Sequence, residues 1–148
     1  MQVFLTVFSG VLVFVIGQIF LKLVIDPVHQ LKRIISDISF ALIQYANVWR
    51  SPDLAYEEDK ELLEATGEFR KLASLLNASR YLIPIYNQTK IIFFLPKGKE
   101  LDSAGQNLIA LSNLLQNPED PRSGLEYARK GYEKEICGAL NIKNKLTD

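Results

Sequence analysis

From Val3 to Ile25 the chain is apolar almost without interruption, 23 residues with a single charge, Lys22, near the end. At a rise of about 1.5 Å per residue a helix of that length covers the roughly 30 Å hydrocarbon core of a bilayer, which predicts a transmembrane anchor over residues 1–25. At Asp26-Pro27 the pattern turns amphipathic. Val28, Leu31, Ile35, Ile38, Leu42, Tyr45 and Trp49 follow at alternating steps of three and four, the spacing of one helix face. That stripe admits two uses: packing on the chain's own later helices, or a self-associating parallel coiled coil continuous with the span. It is the surface expected to carry interaction or assembly. Traced backwards without a break, the same register reaches Gly17 and Gly10, two small residues that let another helix approach closely inside a membrane. Asp26-Pro27 suits an N-cap with proline at the first helical position, so the helix either restarts there or bends and continues.

Beyond Ser51-Pro52-Asp53, an acidic run Glu57–Glu61 suits the start of a helix. This helix runs to about Leu82 with Leu62, Thr66, Phe69, Leu72 or Ala73, Leu76 and Ile83 on one face and Gly67 as a weak point. Pro84 stops it. Ile85–Leu95 is the most apolar stretch after the anchor and is too short to cross a bilayer. Two fates fit it: a short buried helix, or a patch on the membrane surface with Phe93 and Phe94 as the inserting wedge, bracketed by Lys90, Lys97 and Lys99. Leu101, Ala104, Leu108, Leu111 or Ser112, and Leu115 mark the next helix, its face narrowed by Ala104, Gly105 and Ser112 for close packing. Asn117–Pro121 reads as a loop, with Asp120 or Ser123 as a cap. A last helix presents Leu125, Ala128, Tyr132, Ile136, Ala139 and Leu140 inward, and residues 143–148 form a polar tail. No period-two segment of useful length interrupts this series. The expected architecture is all-α: an N-terminal transmembrane helix followed by a cytoplasmic helical domain over 26–142, a bundle of four to five helices.

Size supports one such domain. Of 148 residues, about 120 follow the anchor, enough for a single core. Lys and Arg number 17, as do Asp and Glu, so the excess positive charge that nucleic-acid binding needs is missing. One histidine, His29, and one cysteine, Cys137, separated by most of the chain, do not make a metal site, and Cys137 reads as a small buried hydrophobe. The carboxylates of Glu57–Glu68 alternate with Lys60 and Arg70 as on a solvated helix face. Neither a phosphate loop nor any hydrolase or metalloprotease signature occurs. No cofactor and no enzymatic activity are expected. Two sequons, Asn77-Ala-Ser79 and Asn87-Gln-Thr89, would matter only for a lumenal domain. Lys22, Lys32 and Arg33 follow the span and nothing basic precedes it within the chain. The positive-inside rule therefore predicts an N-terminus outside and a C-terminal domain in the cytoplasm.

Ile25-Asp-Pro-Val-His-Gln-Leu, followed by Ile34, Ile38, Ala41-Leu-Ile and Tyr45-Ala-Asn-Val48, and then Phe94-Leu-Pro and Leu108-Ile-Ala-Leu-Ser-Asn, resembles a group of small bacterial single-span membrane proteins of unknown function. The resemblance covers nearly the whole chain, and its motifs are capping and packing patterns. It implies a bacterial inner-membrane protein with a cytoplasmic helical domain and transfers no active site. The function expected is that of a membrane-anchored adaptor, scaffold or regulator acting through protein contacts, with the bilayer and a protein partner or a second copy as its partners. Two rivals are a membrane-perturbing effector that oligomerises through Gly10 and Gly17, and a lipid-surface module built on Ile85–Leu95. Phe40 lies off the stripe and is a candidate for a contact outside the domain.

Overall fold

A computed structural model describes residues 2–50, 59–116 and 125–142. The side chain of Trp49, Glu57 and Glu58, the segment 117–124 with Asp120 and Ser123, the side chain of Leu125 and the tail 143–148 lie outside the described residues. Every regular element described is helical: α1 (Gln2–Phe20), a π-helical turn (Leu21–Ile25), α2 (Asp26–Gln44), α3 (Ala46–Arg50), α4 (Asp59–Leu82), α5 (Tyr86–Phe93), α6 (Gly98–Gln116) and α7 (Leu125–Leu140). The all-α class holds, with four long helices after the apolar rod and two short ones, α3 and α5.

The chain does not restart at Pro27. Val3–Gln44 is one rod of 42 residues, and Asp26 keeps helical dihedrals while its N–H reaches back to the Leu21 carbonyl. Proline has no N–H to donate, and its ring presses on the carbonyl four residues earlier. A turn closed over five residues is wider than an α-turn and makes room for that ring, so the helix continues where it would otherwise break. The same turn holds one extra residue. Everything before it is rotated by roughly 100°, one residue's worth, relative to an uninterrupted α-helix. The single register expected to join Gly10 and Gly17 to the Val28 stripe is therefore broken at Leu21–Ile25.

After Tyr45 the chain makes the short α3 and returns as α4. The Tyr45 ring at the end of α2 meets Phe69 of α4 edge-on at 6.1 Å between centroids, and Phe94 and Leu95, beyond the end of α4, line a cavity with Lys32 and Ile35 near the start of α2, so α4 runs antiparallel to α2. Arg80 of α4 donates to Asp102 at 2.7 Å, and Arg70 donates to Asn113 at 2.7 Å and Gln116 at 2.8 Å, so α6 runs antiparallel to α4. Asn107 donates to Glu135 at 2.8 Å, and the end of α7 lines a cavity together with Glu100 at the start of α6. The result is an up-down-up-down bundle of α2, α4, α6 and α7, with α5 across the end where α2 leaves the rod.

One core joins all four long helices. Val28, Leu31, Ile38 and Leu42 of the stripe are buried in it, with Ile35 and Tyr45 packed on its edge. The stripe expected to meet a partner is thus spent inside the chain, since a four-helix bundle needs just such a face from each member. Ile34 and Ala41 are buried beside it. On α6, Leu101, Ala104, Leu108, Leu111, Ser112 and Leu115 are buried as their spacing requires. On α7 the expected face is turned by about one residue: Ile136, Cys137 and Leu140 go inward together with Arg129 and Glu133, each 2 % exposed, while Ala128, Tyr132 and Ala139 are half-buried.

The narrow face of α6 has a specific partner. A Cβ on Gly105 would stand 2.8 Å from Asn77 Oδ1, so only glycine lets α6 come this close to α4. The Asn77 side chain, half-buried, thus sits against the α6 backbone. Gly105→Ala is expected to destabilise the bundle by about 1–3 kcal/mol, read from chemical denaturation of the detergent-solubilised chain. Adding Asn77→Ala should recover much of that loss, because the second change removes the atoms that collide.

Candidate functional site

No group of three or more His, Cys, Asp or Glu side chains able to hold a metal exists among the described residues. His29 is exposed on the rod and Cys137 is buried on α7, so the two do not face each other as base and nucleophile. Carboxylates early in α4 pair on the solvent side, Lys71 with Glu68 at 3.0 Å and Lys60 with Glu64 at 3.9 Å. Apolar exposure marks two candidate sites.

The first is the rod. Along α1 every side chain described is exposed. Gly10 and Gly17 have open space around them, and Ser9 turns its hydroxyl back onto the Thr6 carbonyl at 2.9 Å. The second is the end of the bundle formed by the last turn of α4, α5 and the turn into α6. Tyr81, Leu82, Ile85, Ile91, Ile92 and Phe94 are all exposed there, Ile91 by 71 %, Ile92 by 70 % and Phe94 by 93 %. This far exceeds the scattered single apolar residues of an ordinary surface.

The backbone holds those side chains out at a cost. Ile85, which opens α5, sits at φ 51, ψ 47, and Phe94, which closes it, at φ 54, ψ 45. Both are left-handed, a conformation that bulky L-residues rarely adopt. Phe94 occupies the position where a helix commonly ends on glycine or asparagine, with Leu95 N–H donating to the Lys90 carbonyl at 2.9 Å. At the end of α7 the same arrangement is met conventionally by Asn141, followed by Ile142 N–H on the Cys137 carbonyl at 2.9 Å. Ties on the inner side keep α5 in place: Thr89 donates its hydroxyl to the Pro84 carbonyl at 3.1 Å, Tyr86 donates to the Pro96 carbonyl at 2.7 Å, and Ile83 and Leu95 enter the core. The left-handed turn separates the two phenyl rings. Phe93 packs against the core and Phe94 points away, so of the expected wedge only Phe94 is outward, and Ile91 and Ile92 take the place of Phe93.

Between this end and α2 lies a cavity of about 480 Å³ lined by Lys32 and Ile35 of the rod, by Phe94–Lys97, by Glu100 and by the end of α7. At the start of α6 the Lys97 N–H donates to the Glu100 carboxylate at 2.6 Å, one of the two bonds of a capping box, and that backbone bond, helped by the Lys97 charge, holds the Glu100 carboxyl below the usual range. Arg80 is held charged by its bonds to Asp102, and its guanidinium fills the space beside Gly98, where a Cβ would stand 2.8 Å away.

Sequence reasoning marked Ile85–Leu95 and its lysines but not the left-handed ends, since neither Ile nor Phe announces that conformation. It also missed Arg129 and Glu133, whose spacing of four places them on one face but whose charge argues for solvent. Family models, curated proteins and solved structures were compared with the chain, and none matches. The functional reading therefore rests on the chain's own geometry.

Relieving the two left-handed residues tests this strain. Ile85→Gly and Phe94→Gly are each expected to raise stability by about 1 kcal/mol, measured by denaturation in detergent; a loss would mean that the side chains are packed. Tyr86 gives a second handle, as burial pushes its phenol up to about 12. The fold favours the neutral phenol, so its contribution is complete below the unfolded value near pH 10 and is lost as pH rises from there to about 12. An ultraviolet titration should show a late tyrosinate step that Tyr86→Phe removes.

Proposed function

We propose that this protein is a single-pass protein of a bacterial inner membrane whose helical bundle stands in the cytoplasm as a scaffold or regulatory subunit. It acts through protein contacts. The observation that carries this reading is the rod: an apolar helix, exposed from Val3 to Phe20, runs unbroken into a core helix of the bundle. Its length and composition suit a bilayer, and among the described residues nothing else covers those side chains. Lys22 near the end of the apolar half and Lys32 and Arg33 after it favour a cytoplasmic bundle, and the bacterial setting is what the resemblance of the junction and helix ends implies. Since the stripe of α2 is buried, the face of α2 left for a protein partner is the outward ridge with Phe40 and Ile43, both exposed.

The pore-forming rival is weakened on two counts. The register that would have joined Gly10 and Gly17 to an assembly stripe is broken by the π-turn, and Ser9 satisfies its hydroxyl on its own helix, leaving little to wet a channel.

Extraction of membranes with alkaline carbonate is the test. The full chain is expected to stay in the pellet, with bundle lysines reacting with a membrane-impermeant amine reagent only after the cells are opened. Release into the wash would overturn the membrane reading, and labelling of intact cells would overturn the orientation.

A further inference from the structure

The bundle does not stand clear of the rod's exit point. Val24 and Ile25 are already partly covered and Val28 is buried, 1 % exposed, so protein atoms pack on the rod within about one turn of the end of its apolar half. Because α4 and α7 run back toward that end and α5 crosses it, these are the elements that reach that level. Phe94–Lys97 line one cavity with Lys32 and Ile35, which lie only about 10–15 Å along the helix from Ile25 at 1.5 Å per residue. The head-group layer is itself some 5–8 Å thick on each side of the hydrocarbon.

Resting on the reading that α1 spans a bilayer, we propose that the α4–α5–α6 corner is a second membrane contact: Ile85, Ile91, Ile92 and Phe94 insert at the head-group boundary of the leaflet from which the rod emerges, and surrounding lysines bind anionic lipid. Three independent features select lipid as the occupant. The patch sits at the end of the bundle nearest the exit, where a bilayer is present and a partner protein would have to displace it. Its charge is complementary to anionic head groups: Glu100 and Asp102 are paired with Lys97 and Arg80, which leaves Lys32 beside Phe94, Lys90 of α5 and Lys99 of α6 as the cations of the corner. Finally, the two left-handed residues are both bulky and apolar, although glycine would relieve each. Strain kept at both ends of an element whose side chains point outward is strain kept for the sake of those side chains.

Contact at two places, the rod and this corner, fixes both the tilt and the rotation of the bundle. The opposite end, with α3 and the start of α4, is then held away from the lipid.

The unmodified full-length chain, reconstituted in vesicles of phosphatidylcholine and phosphatidylglycerol, is irradiated in the presence of a phosphatidylglycerol carrying a diazirine at the top of an acyl chain, then digested with trypsin. Lipid adducts are expected on Met1–Lys22 from the rod and on Ile91–Lys97 from the corner. Adducts on the first peptide alone would overturn the corner contact and leave the spanning rod intact; adducts on neither would remove both. A second measurement uses single spin labels in a Cys137→Ala background at Leu12, Glu64 and Phe94. Phe94→Cys should show an oxygen-to-nickel accessibility ratio several-fold above that of Glu64→Cys and nearer that of Leu12→Cys. A label at position 94 shielded from both reagents and broadened by a second label would mean that another copy covers the patch, and would overturn the proposal, as would a ratio equal to that at position 64.

Discussion

Everything above the rod depends on the seating of one apolar stripe. Val28, Leu31, Ile38 and Leu42 are fully buried between α2 and its neighbours, each worth about 1.5–3 kcal/mol when taken from water into a packed core. Because those side chains belong to the same helix as the apolar half, the rod and the bundle move as one body. A linker would let the domain wander relative to the rod. A core helix does not, and this is why the turn at Leu21–Ile25 matters: a helix broken at Pro27 would free the bundle from the rod.

The price of that arrangement is visible at the base. α4 and α6 are direct neighbours, and the fifteen residues between them, 83–97, carry α5 over the end of the bundle with a left-handed residue at each end. Strain of this kind costs of order 1–3 kcal/mol per residue and survives only where surrounding contacts outweigh it. Those contacts lie on the inner side, in Ile83, Thr89, Leu95 and the Tyr86 hydroxyl. The outward residues contribute nothing to holding the segment, which leaves them open to selection for another role.

The parts of this structure legible in the sequence are those governed by periodicity. The faces of α2, α4 and α6 follow from apolar spacing, and the small residues of α6 foretold a close approach that Gly105 and Asn77 display. Three things were not legible, each for a physical reason. Asp26-Pro27 looks the same whether a helix begins there or passes through, because an N-cap and a proline relieved by a π-turn need the same residues. The face of α7 is obscured because Arg129 and Glu133, buried against the usual preference of charged groups, displace the apolar stripe by one position. In α5 the sequence named Phe93 and Phe94 as a pair, and only the backbone reversal at Phe94 parts them.

That reversal also bears on how copies of the chain could meet. A bundle of roughly 115 residues has a radius of gyration near 13 Å, whereas closely packed helices stand 8–10 Å apart. Rods can approach through Gly10 and Gly17 only if their bundles lie to either side of the contact. Had the register run unbroken, the glycines would sit directly over the bundle-covered face of α2, and a second rod would descend onto the base of the first bundle. The π-turn swings the glycine face by roughly a quarter turn, toward the flank, where two rods can pair with their bundles splayed. A ring of many rods around a channel gains nothing from a flank contact of this kind, since each added bundle crowds the next. On the proposed membrane-spanning reading of the rod, this geometry suits a pair of rods better than a ring around a channel.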